Sequence, residues 1–190
     1  MFGRILVAVD GTPTSNRGLA VAARLAREQG ARLYVIHVID ELVIAPTLNG
    51  TAAGATEYIE AMLDNLRTRG RKIVASAEAA ASKSVSDVNA DMVASVGRSV
   101  ATVILQYARR VRANLIVLGT HGRRGLTRLV MGSDAENVLR EATVPVLLVR
   151  SPNAAPRSGR SKPVRRSAGQ RRVSGSEAAF NERPGLRSGT

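Results

Sequence analysis

The sequence predicts a doubly wound α/β fold, in which a five-stranded parallel sheet is covered by helices on both faces. Four short, mostly apolar runs lack the alternation of half-exposed strands, as expected for strands buried on both faces, and a weaker fifth strand is predicted between the second and third of them. Longer segments with helical spacing of apolar residues separate these runs. The resulting order, β-α-β-α-β-α-β-α-β with right-handed crossovers, gives a parallel sheet between two helical layers.

The first strands and the first helix have clear sequence signals. Residues 4–9 (RILVAV) form a buried strand that ends at Asp10 and Gly11. A helix over residues 15–29 follows, with N-cap candidates at residues 14–16 and a terminating glycine after it. Residues 33–39 (LYVIHVI) are the second strand.

The later elements include weaker signals. A long helix covers residues 56–81, although Gly70 is about 1 kcal/mol less favourable there than alanine. Residues 88–96 are predicted as a strand despite Asn89 and Asp91, which are poor strand formers. The remaining helices cover residues 98–111 and 133–141, and the remaining strands cover residues 115–118 (LIVL) and 145–149 (PVLLV).

The composition excludes several kinds of site. The 190 residues contain no cysteine, so a disulfide framework and a cysteine-based zinc site are both excluded. No run approaches the roughly eighteen apolar residues of a membrane helix, and the N-terminus shows no signal-peptide pattern. We therefore expect a cytoplasmic protein with one folded domain and no membrane contact.

The positive charge is concentrated near the C-terminus. Residues 1–150 carry 19 basic and 13 acidic side chains, whereas residues 151–190 carry nine and two. The second segment is rich in Arg, Ser, Gly and Pro and predicts a disordered basic tail after a domain at residues 1–150. Its arginines could attract nucleic acid, but Phe180 is its only aromatic residue. Nucleic acid is thus an accessory possibility, and a solubilising tail is the alternative.

The stretch GTHGRRGLTRLVMGS, residues 119–133, is the strongest functional motif. Gly119 and Gly122 lack a Cβ, so their backbone N–H groups can approach an anion. Ser133, after Gly132, opens a helix whose N-terminal N–H groups and dipole favour phosphate. The spacing is neither GxxxxGK[ST] nor GxGxxG. In a doubly wound sheet this stretch meets Asp10 at the carboxyl ends of the strands, where ligands bind.

The pattern Gly119-x2-Gly122-x9-Gly132-Ser133 resembles the ATP-binding signature of the universal stress protein family. The segments ILVAVDG and VIHVID agree with the same family in order and position, and the resemblance covers about residues 3–150. It implies a Rossmann-like fold of the adenine nucleotide alpha hydrolase-like type. It also implies bound ATP with Mg²⁺ or Mn²⁺, and a homodimer formed through the last strand, at Val146, Leu147, Leu148 and Val149.

The resemblance also implies roles for individual residues. Asp10 would contact the ribose region, and main-chain groups of Val38 would hold the adenine edge. Ribose and phosphates would be held by Gly119, Gly122, Gly132 and Ser133. Asp10 alone could instead cap the turn that follows it, and Val38 alone is a core strand residue.

Other polar residues have less specific interpretations. His37 lies in a buried strand and is interpreted as structural. Asp134 stands where the family commonly has a small apolar residue, and its carboxylate would repel a nearby phosphate. The possible phosphate contacts are His121, Arg123, Arg124 and Arg128, although such a cluster is more often a solvated surface.

The sequence offers no convincing catalytic group. A positioned base or nucleophile beside the phosphate is missing, and neither Lys72 nor Lys83 stands in a Walker motif. We therefore expect an ATP-binding regulatory protein of the stress response, a nucleotide-dependent switch or chaperone-like partner rather than an efficient enzyme. Any ATP hydrolysis would be slow and incidental. The alternative is a nucleotide-free dimeric interaction module of the same fold.

Overall fold

A computed structural model describes residues 1–40, 55–120 and 132–150, with the side chains of residues 55 and 56 left out. The chain divides into two units, Met1–Ala154 and Ala155–Thr190, and every described residue belongs to the first. The predicted tail at residues 151–190 therefore lies outside the described residues. The elements are β1 Arg4–Ala8, α1 Pro13–Gln29, β2 Arg32–Ile39, α2 Ala55–Ala81, β3 Val88–Ala94, α3 Val100–Arg110, β4 Leu115–Gly119, α4 Ser133–Glu141 and β5 Val146–Val149.

The five strands form one parallel sheet in the order β3-β2-β1-β4-β5. The chain moves outward from β1 to β3 on one side, then crosses back to build β4 and β5 on the other. The strand order therefore reverses between β1 and β4, which creates a crevice at their carboxyl ends. The predicted doubly wound fold is confirmed. No described helix is long and apolar enough to cross a membrane.

The core consists of two layers because successive strand side chains point to opposite faces of the sheet. Ile5 and Val7 of β1 pack on one face, beneath α1 and α2. Leu6 packs on the other face, beneath α3 and α4. All three side chains are fully buried. This burial on both faces is the physical reason why β1 has a continuous apolar sequence.

Helix α1 begins earlier than predicted. Its N-cap is Thr12, whose side-chain oxygen accepts the N–H of Ser15 at 3.2 Å, so the predicted N-cap at residues 14–16 was wrong. Pro13 occupies the first helical position, where its missing N–H has no intrahelical partner to lose. The N-cap consequently lies only two residues after Asp10.

Strand β3 tolerates its polar residues because it lies at the edge of the sheet. Asn89 and Asp91 are both exposed, and the strand ends at Ala94 rather than at residue 96. Asp91 Oδ2 accepts a hydrogen bond from the hydroxyl of Tyr107 on α3 and lies 3.4 Å from Nη2 of Arg110. The Arg110 guanidinium also lies 4.3 Å from the centroid of the Tyr107 ring. These contacts attach α3 to the edge strand.

The first turn of α1 packs directly on the end of β4. A Cβ built on Gly119 would lie 3.1 Å from Cγ2 of Thr14 and 3.2 Å from the backbone nitrogen of Ser15. Because a backbone nitrogen cannot rotate away, a side chain at residue 119 requires α1 to shift. Close packing of the helix is therefore one reason for glycine at this position.

We expect Gly119→Ala to lower the free energy of unfolding by about 1–2 kcal/mol, because the added methyl group overpacks the contact with α1. Urea denaturation followed by circular dichroism measures the loss. Gly3→Ala is the matched control, since a Cβ there meets nothing within 4 Å, and its effect should stay within about 0.5 kcal/mol. Equal losses in the two variants would contradict the packing role of Gly119.

We also expect Tyr107 to make folding stability fall in alkaline solution. Burial and the hydrogen bond to Asp91 raise the pKa of Tyr107 to about 12. The folded state therefore keeps a proton that the unfolded state releases near its ordinary pKa of about 10. The stabilisation is complete below pH of about 10 and is lost as the pH rises to about 12.

Urea denaturation at a series of pH values between about 9 and about 12, a range that includes both pKa values, measures this loss of stability. Tyr107→Phe should show a shallower decline than the unmodified chain over that range. Tyr58→Phe is the control, because Tyr58 is 65% exposed and should leave the profile unchanged. Identical profiles for the unmodified chain and Tyr107→Phe would show that Tyr107 does not carry the effect.

Candidate functional site

The carboxyl ends of three neighbouring strands place the predicted ligand residues at one edge of the sheet. Asp10 follows β1, Val38 is the penultimate residue of β2, and Gly119 ends β4. Because β2, β1 and β4 are adjacent in the sheet, these positions flank the point where strand order reverses. The predicted convergence of these segments is confirmed by the strand order.

Asp10 holds the turn that joins β1 to α1. Its Oδ1 accepts the N–H of Thr12 at 2.9 Å and the hydroxyl of Thr12 at 2.7 Å. Its own N–H donates to Oγ of Ser15 at 3.2 Å, and Gly11 between them has a φ of 81°, in the left-handed region. Asp10 thus caps this turn. The same bonds fix the direction of its half-buried carboxylate at the mouth of the crevice.

The neighbouring strand contributes a backbone position and a buried histidine. Val38 packs its half-buried side chain against the core layer that contains α3. His37 is 4% exposed, and its Nδ1 lies 2.7 Å from the carbonyl oxygen of Val9. The side chain of His37 therefore joins β2 to the last residue before Asp10, which agrees with a structural interpretation of this histidine.

The glycine-rich stretch is attached to the sheet at both of its ends. Thr120, just after β4, donates its N–H to the carbonyl oxygen of Val149 at 3.0 Å. The carbonyl oxygen of Thr120 accepts the N–H of Gly132 at 2.9 Å. The start of α4 is consequently held beside the end of β4. The residues between, which include His121, Gly122, Arg123, Arg124 and Arg128, lie outside the described residues.

Helix α4 begins as predicted, with Gly132 as its N-cap and Ser133 as its first residue. Gly132 has no side chain to occupy the first N–H groups of the helix, and Ser133 is exposed. Such a terminus can donate hydrogen bonds to an anion. The first turn also contains Asp134, whose negative charge opposes an anion there.

The sequence interpretation missed two residues of the site. Thr12 both caps α1 and binds the Asp10 carboxylate, and Thr120, which is 4% exposed, joins β4, β5 and α4. A threonine before proline at a strand end is a signal for an N-cap that could have revealed Thr12. The bonds from Thr120 to β5 and α4 are backbone bonds, so the residue type gives no signal for them. Among the described residues, no group of three or more His, Cys, Asp or Glu side chains could hold a metal ion.

Comparison with known proteins identifies relatives over the part of the chain in which the sequence resemblance was found. The family model described as the universal stress protein family matches residues 1–150. The universal stress protein YxiE of Bacillus subtilis is 36% identical over 152 residues, which are 79% of this chain and all of that protein. A universal stress protein of Thermus aquaticus is 37% identical over 150 residues, again 79% of this chain and all of the relative.

Solved structures share the fold. A universal stress protein family member from Burkholderia pseudomallei has a TM-score of 0.62 at 30% identity, covering 78% of this chain and 96% of that one. A universal stress protein from Archaeoglobus fulgidus in complex with dAMP has a TM-score of 0.55 at 24% identity, covering 77% and 96%. A universal stress protein in complex with cAMP has a TM-score of 0.56 at 22% identity, covering 78% and 97%. Because the family model covers residues 1–150 and relatives 36–37% identical align over 79% of the chain, the chain belongs to the universal stress protein family.

Proposed function

We propose that this chain is an ATP-binding regulatory protein of the stress response, with the nucleotide in the crevice between β1 and β4. One observation carries the proposal: the hydrogen bond from Gly132 to Thr120 holds the N-terminus of α4 beside the strand ends that present Asp10 and Val38. A donor-rich helix terminus and an oriented carboxylate at one edge suit a ligand that carries both phosphate and sugar hydroxyl groups.

The three parts of the ligand have separate partners in this proposal. Backbone groups of Val38 hold the edge of the adenine, and Asp10 accepts from ribose hydroxyls. Phosphate oxygens accept from N–H groups near Gly119 and from those of the first turn of α4, which begins at Ser133, while the N–H of Gly132 itself donates to Thr120. The complexes with dAMP and cAMP show that two universal stress proteins of this fold bind adenine nucleotides, which supports the assignment of the base.

A divalent cation fits this arrangement as a companion of the ligand. Mg²⁺ bound with ATP takes most of its oxygen ligands from phosphates and water, so it needs few protein ligands. Mg²⁺ or Mn²⁺ would neutralise charge on the phosphates close to Asp134. That carboxylate opens α4 and is the nearest acidic group in sequence to Ser133.

We propose a binding role rather than efficient catalysis. Phosphoryl transfer needs a group that positions the attacking nucleophile, together with cationic groups at the transferred phosphate. Asp10, an acidic residue at the crevice, already uses one carboxylate oxygen to hold the Thr12 turn. ATP would then act as a ligand that changes the protein's partner or assembly state, and its hydrolysis would be slow.

The open edge of the sheet supports a homodimer formed through β5. The carbonyl oxygen of Pro145 accepts from Ile116 of β4 and that of Val149 from Thr120 just after β4, so these residues face inward. Val146 and Leu148 alternate with them and present their N–H and C=O groups to the outer edge. Within the described part of the chain, no strand pairs on that side. An unpaired edge strand favours association with a second copy.

A nucleotide-free dimer of the same fold is the second candidate function. The observation that favours it is Asp134 in the first turn of α4, because a negative charge at this terminus weakens anion binding. The open edge of β5 serves this candidate equally well. Direct binding of nucleotide separates the two functions.

We expect calorimetric titration with ATP and Mg²⁺ to show one binding site per chain. Asp10→Asn should weaken ATP binding by about tenfold, because a neutral amide is a poorer acceptor for ribose hydroxyls than a carboxylate. The amide oxygen can still accept from Thr12, so the turn should remain in place.

Asp64→Asn is the matched control, because it makes the same change of charge at an exposed position on α2. It should leave ATP affinity unaltered. Absence of heat with the unmodified chain would remove the nucleotide-binding function and favour the nucleotide-free dimer. Equal affinities for Asp10→Asn and the unmodified chain would exclude the proposed contact with ribose.

We expect Leu148→Pro to convert a dimer into a folded monomer. Proline removes an outward N–H from the edge of β5, and a proline at such an edge breaks no bond to β4. Light scattering at micromolar concentration measures the assembly state, and circular dichroism confirms the fold. A folded Leu148→Pro variant that remains dimeric would place the interface elsewhere.

A further inference from the structure

Backbone directions in β2 show which groups face the crevice. Arg32 donates to the carbonyl oxygen of Gly3, and Ile36 accepts from Val9, so the even-numbered residues face β1. Leu33 donates to Asp87, and Ile39 accepts from Ser95, so the odd-numbered residues face β3. The alternation of a strand therefore directs both the N–H and the C=O of Val38 toward the end of β1.

The regular ladder between β1 and β2 stops before it reaches those groups. Val9 donates its N–H to Ile36 at 2.8 Å, and the next rung of a parallel ladder would join the Val38 N–H to the Val9 carbonyl oxygen. The paired register of these two described strands nevertheless ends at Ala8 and Ile36, so that rung is not formed. The Val9 carbonyl oxygen instead lies 2.7 Å from Nδ1 of His37.

We propose that His37 is a positioning residue for adenine recognition. Its imidazole donates a hydrogen bond to the Val9 carbonyl oxygen in place of the Val38 N–H. The Val38 N–H therefore stays directed into the crevice, where it can donate to the base. This inference rests on the proposed binding of an adenine nucleotide. The N–H and C=O of Val38 point the same way from an extended strand. They match the acceptor N1 and the donor amino group on one edge of adenine.

The chemistry of the contact determines the proton on His37. A carbonyl oxygen only accepts hydrogen bonds, so Nδ1 of His37 carries the proton and donates it. A buried carbonyl group without a hydrogen-bond donor is costly. With an apolar residue at position 37, the carbonyl oxygen of Val9 would therefore have to accept from another N–H. The nearest backbone donor that faces it is Val38. Loss of the imidazole donor therefore closes the ladder and withdraws the Val38 N–H from the crevice.

Helix α2 holds the imidazole in this orientation. A Cβ built on Gly70 would lie 3.1 Å from Cδ2 of His37 and 2.6 Å from Sδ of Met92. Glycine at position 70 therefore lets α2 pass directly over the ring, while Met92 of β3 is the neighbour of His37 in the paired register. The Cδ2 atom of the ring therefore lies against α2, and Met92 of β3 lies against the same glycine. The glycine that weakens α2 as a helix thus makes room for the histidine.

The first test uses the protein without nucleotide, so it does not depend on the proposed function. Amide hydrogen exchange followed by NMR should show the Val38 N–H exchanging at least about tenfold faster than that of Ile36, which lies inside the paired register. The ¹⁵N spectrum of the imidazole should show a proton on Nδ1 of His37. Equal protection of the two amides, or an Nδ1 without a proton, would overturn the inference.

The variants His37→Leu and His37→Asn form a matched pair. Their side chains have nearly the same shape, but only asparagine places an N–H donor near the position of Nδ1. In His37→Leu, the Val38 amide should become as protected as that of Ile36. In His37→Asn, it should exchange as in the unmodified chain. The same slow exchange of Val38 in both variants would contradict the role of the donor.

The second test compares ATP with 1-deaza-ATP, which lacks the acceptor nitrogen N1. The unmodified chain and His37→Asn should bind ATP about tenfold more tightly than the analogue, whereas His37→Leu should bind both with nearly equal affinity. A tenfold preference that survives in folded His37→Leu would overturn the inference while the proposed function stands. If neither nucleotide binds the unmodified chain, the proposed function fails, and the exchange of the Val38 amide still decides whether His37 replaces the rung.

Discussion

The site depends on how backbone polar groups are satisfied where the parallel sheet ends. Between neighbouring strands the N–H and C=O groups are paired with one another, but at the carboxyl ends the pairing stops and other partners must be found. The carbonyl oxygen of Val9 pairs with the ring of His37, and that of Thr120 pairs with Gly132. The first bond shapes the edge beside β2. The second holds α4 at the end of β4.

Two glycines matter because of what passes close to them. Gly119 admits the first turn of α1, and Gly70 admits His37 and Met92 beneath α2. Gly119 also belongs to the motif that resembles a phosphate-binding signature. Its backbone must therefore allow both the packing of α1 and the approach of a ligand. Each of these requirements excludes a side chain at position 119. Gly70 belongs to no such motif, yet it lies next to the histidine that shapes the crevice.

Much of the fold could be predicted from apolar runs because burial on both faces leaves a strong signal. The parallel doubly wound sheet and the bounds of α4 agree with the sequence interpretation. The start of α1 was missed because Thr12 and Pro13 act together, and side-chain types at residues 14–16 competed as caps. The role of Gly119 in packing could not be predicted, since it depends on where α1 crosses β4. The orientation of His37 depends in the same way on the register of β1 against β2.

The N-terminus of α4 contributes oriented N–H donors more than it contributes positive charge. The aligned peptide dipoles amount to about half a positive charge at such a terminus, whereas the carboxylate of Asp134 brings a full negative charge into the same turn. The N–H groups after Gly132 can still aim hydrogen bonds at phosphate oxygens, but the charge of Asp134 opposes the attraction that the dipole alone would exert. Charge that balances the phosphates must then come from a bound cation or from basic side chains. In the sequence, Arg123, Arg124 and Arg128 stand between Gly119 and Gly132, the segment best placed along the chain to provide it.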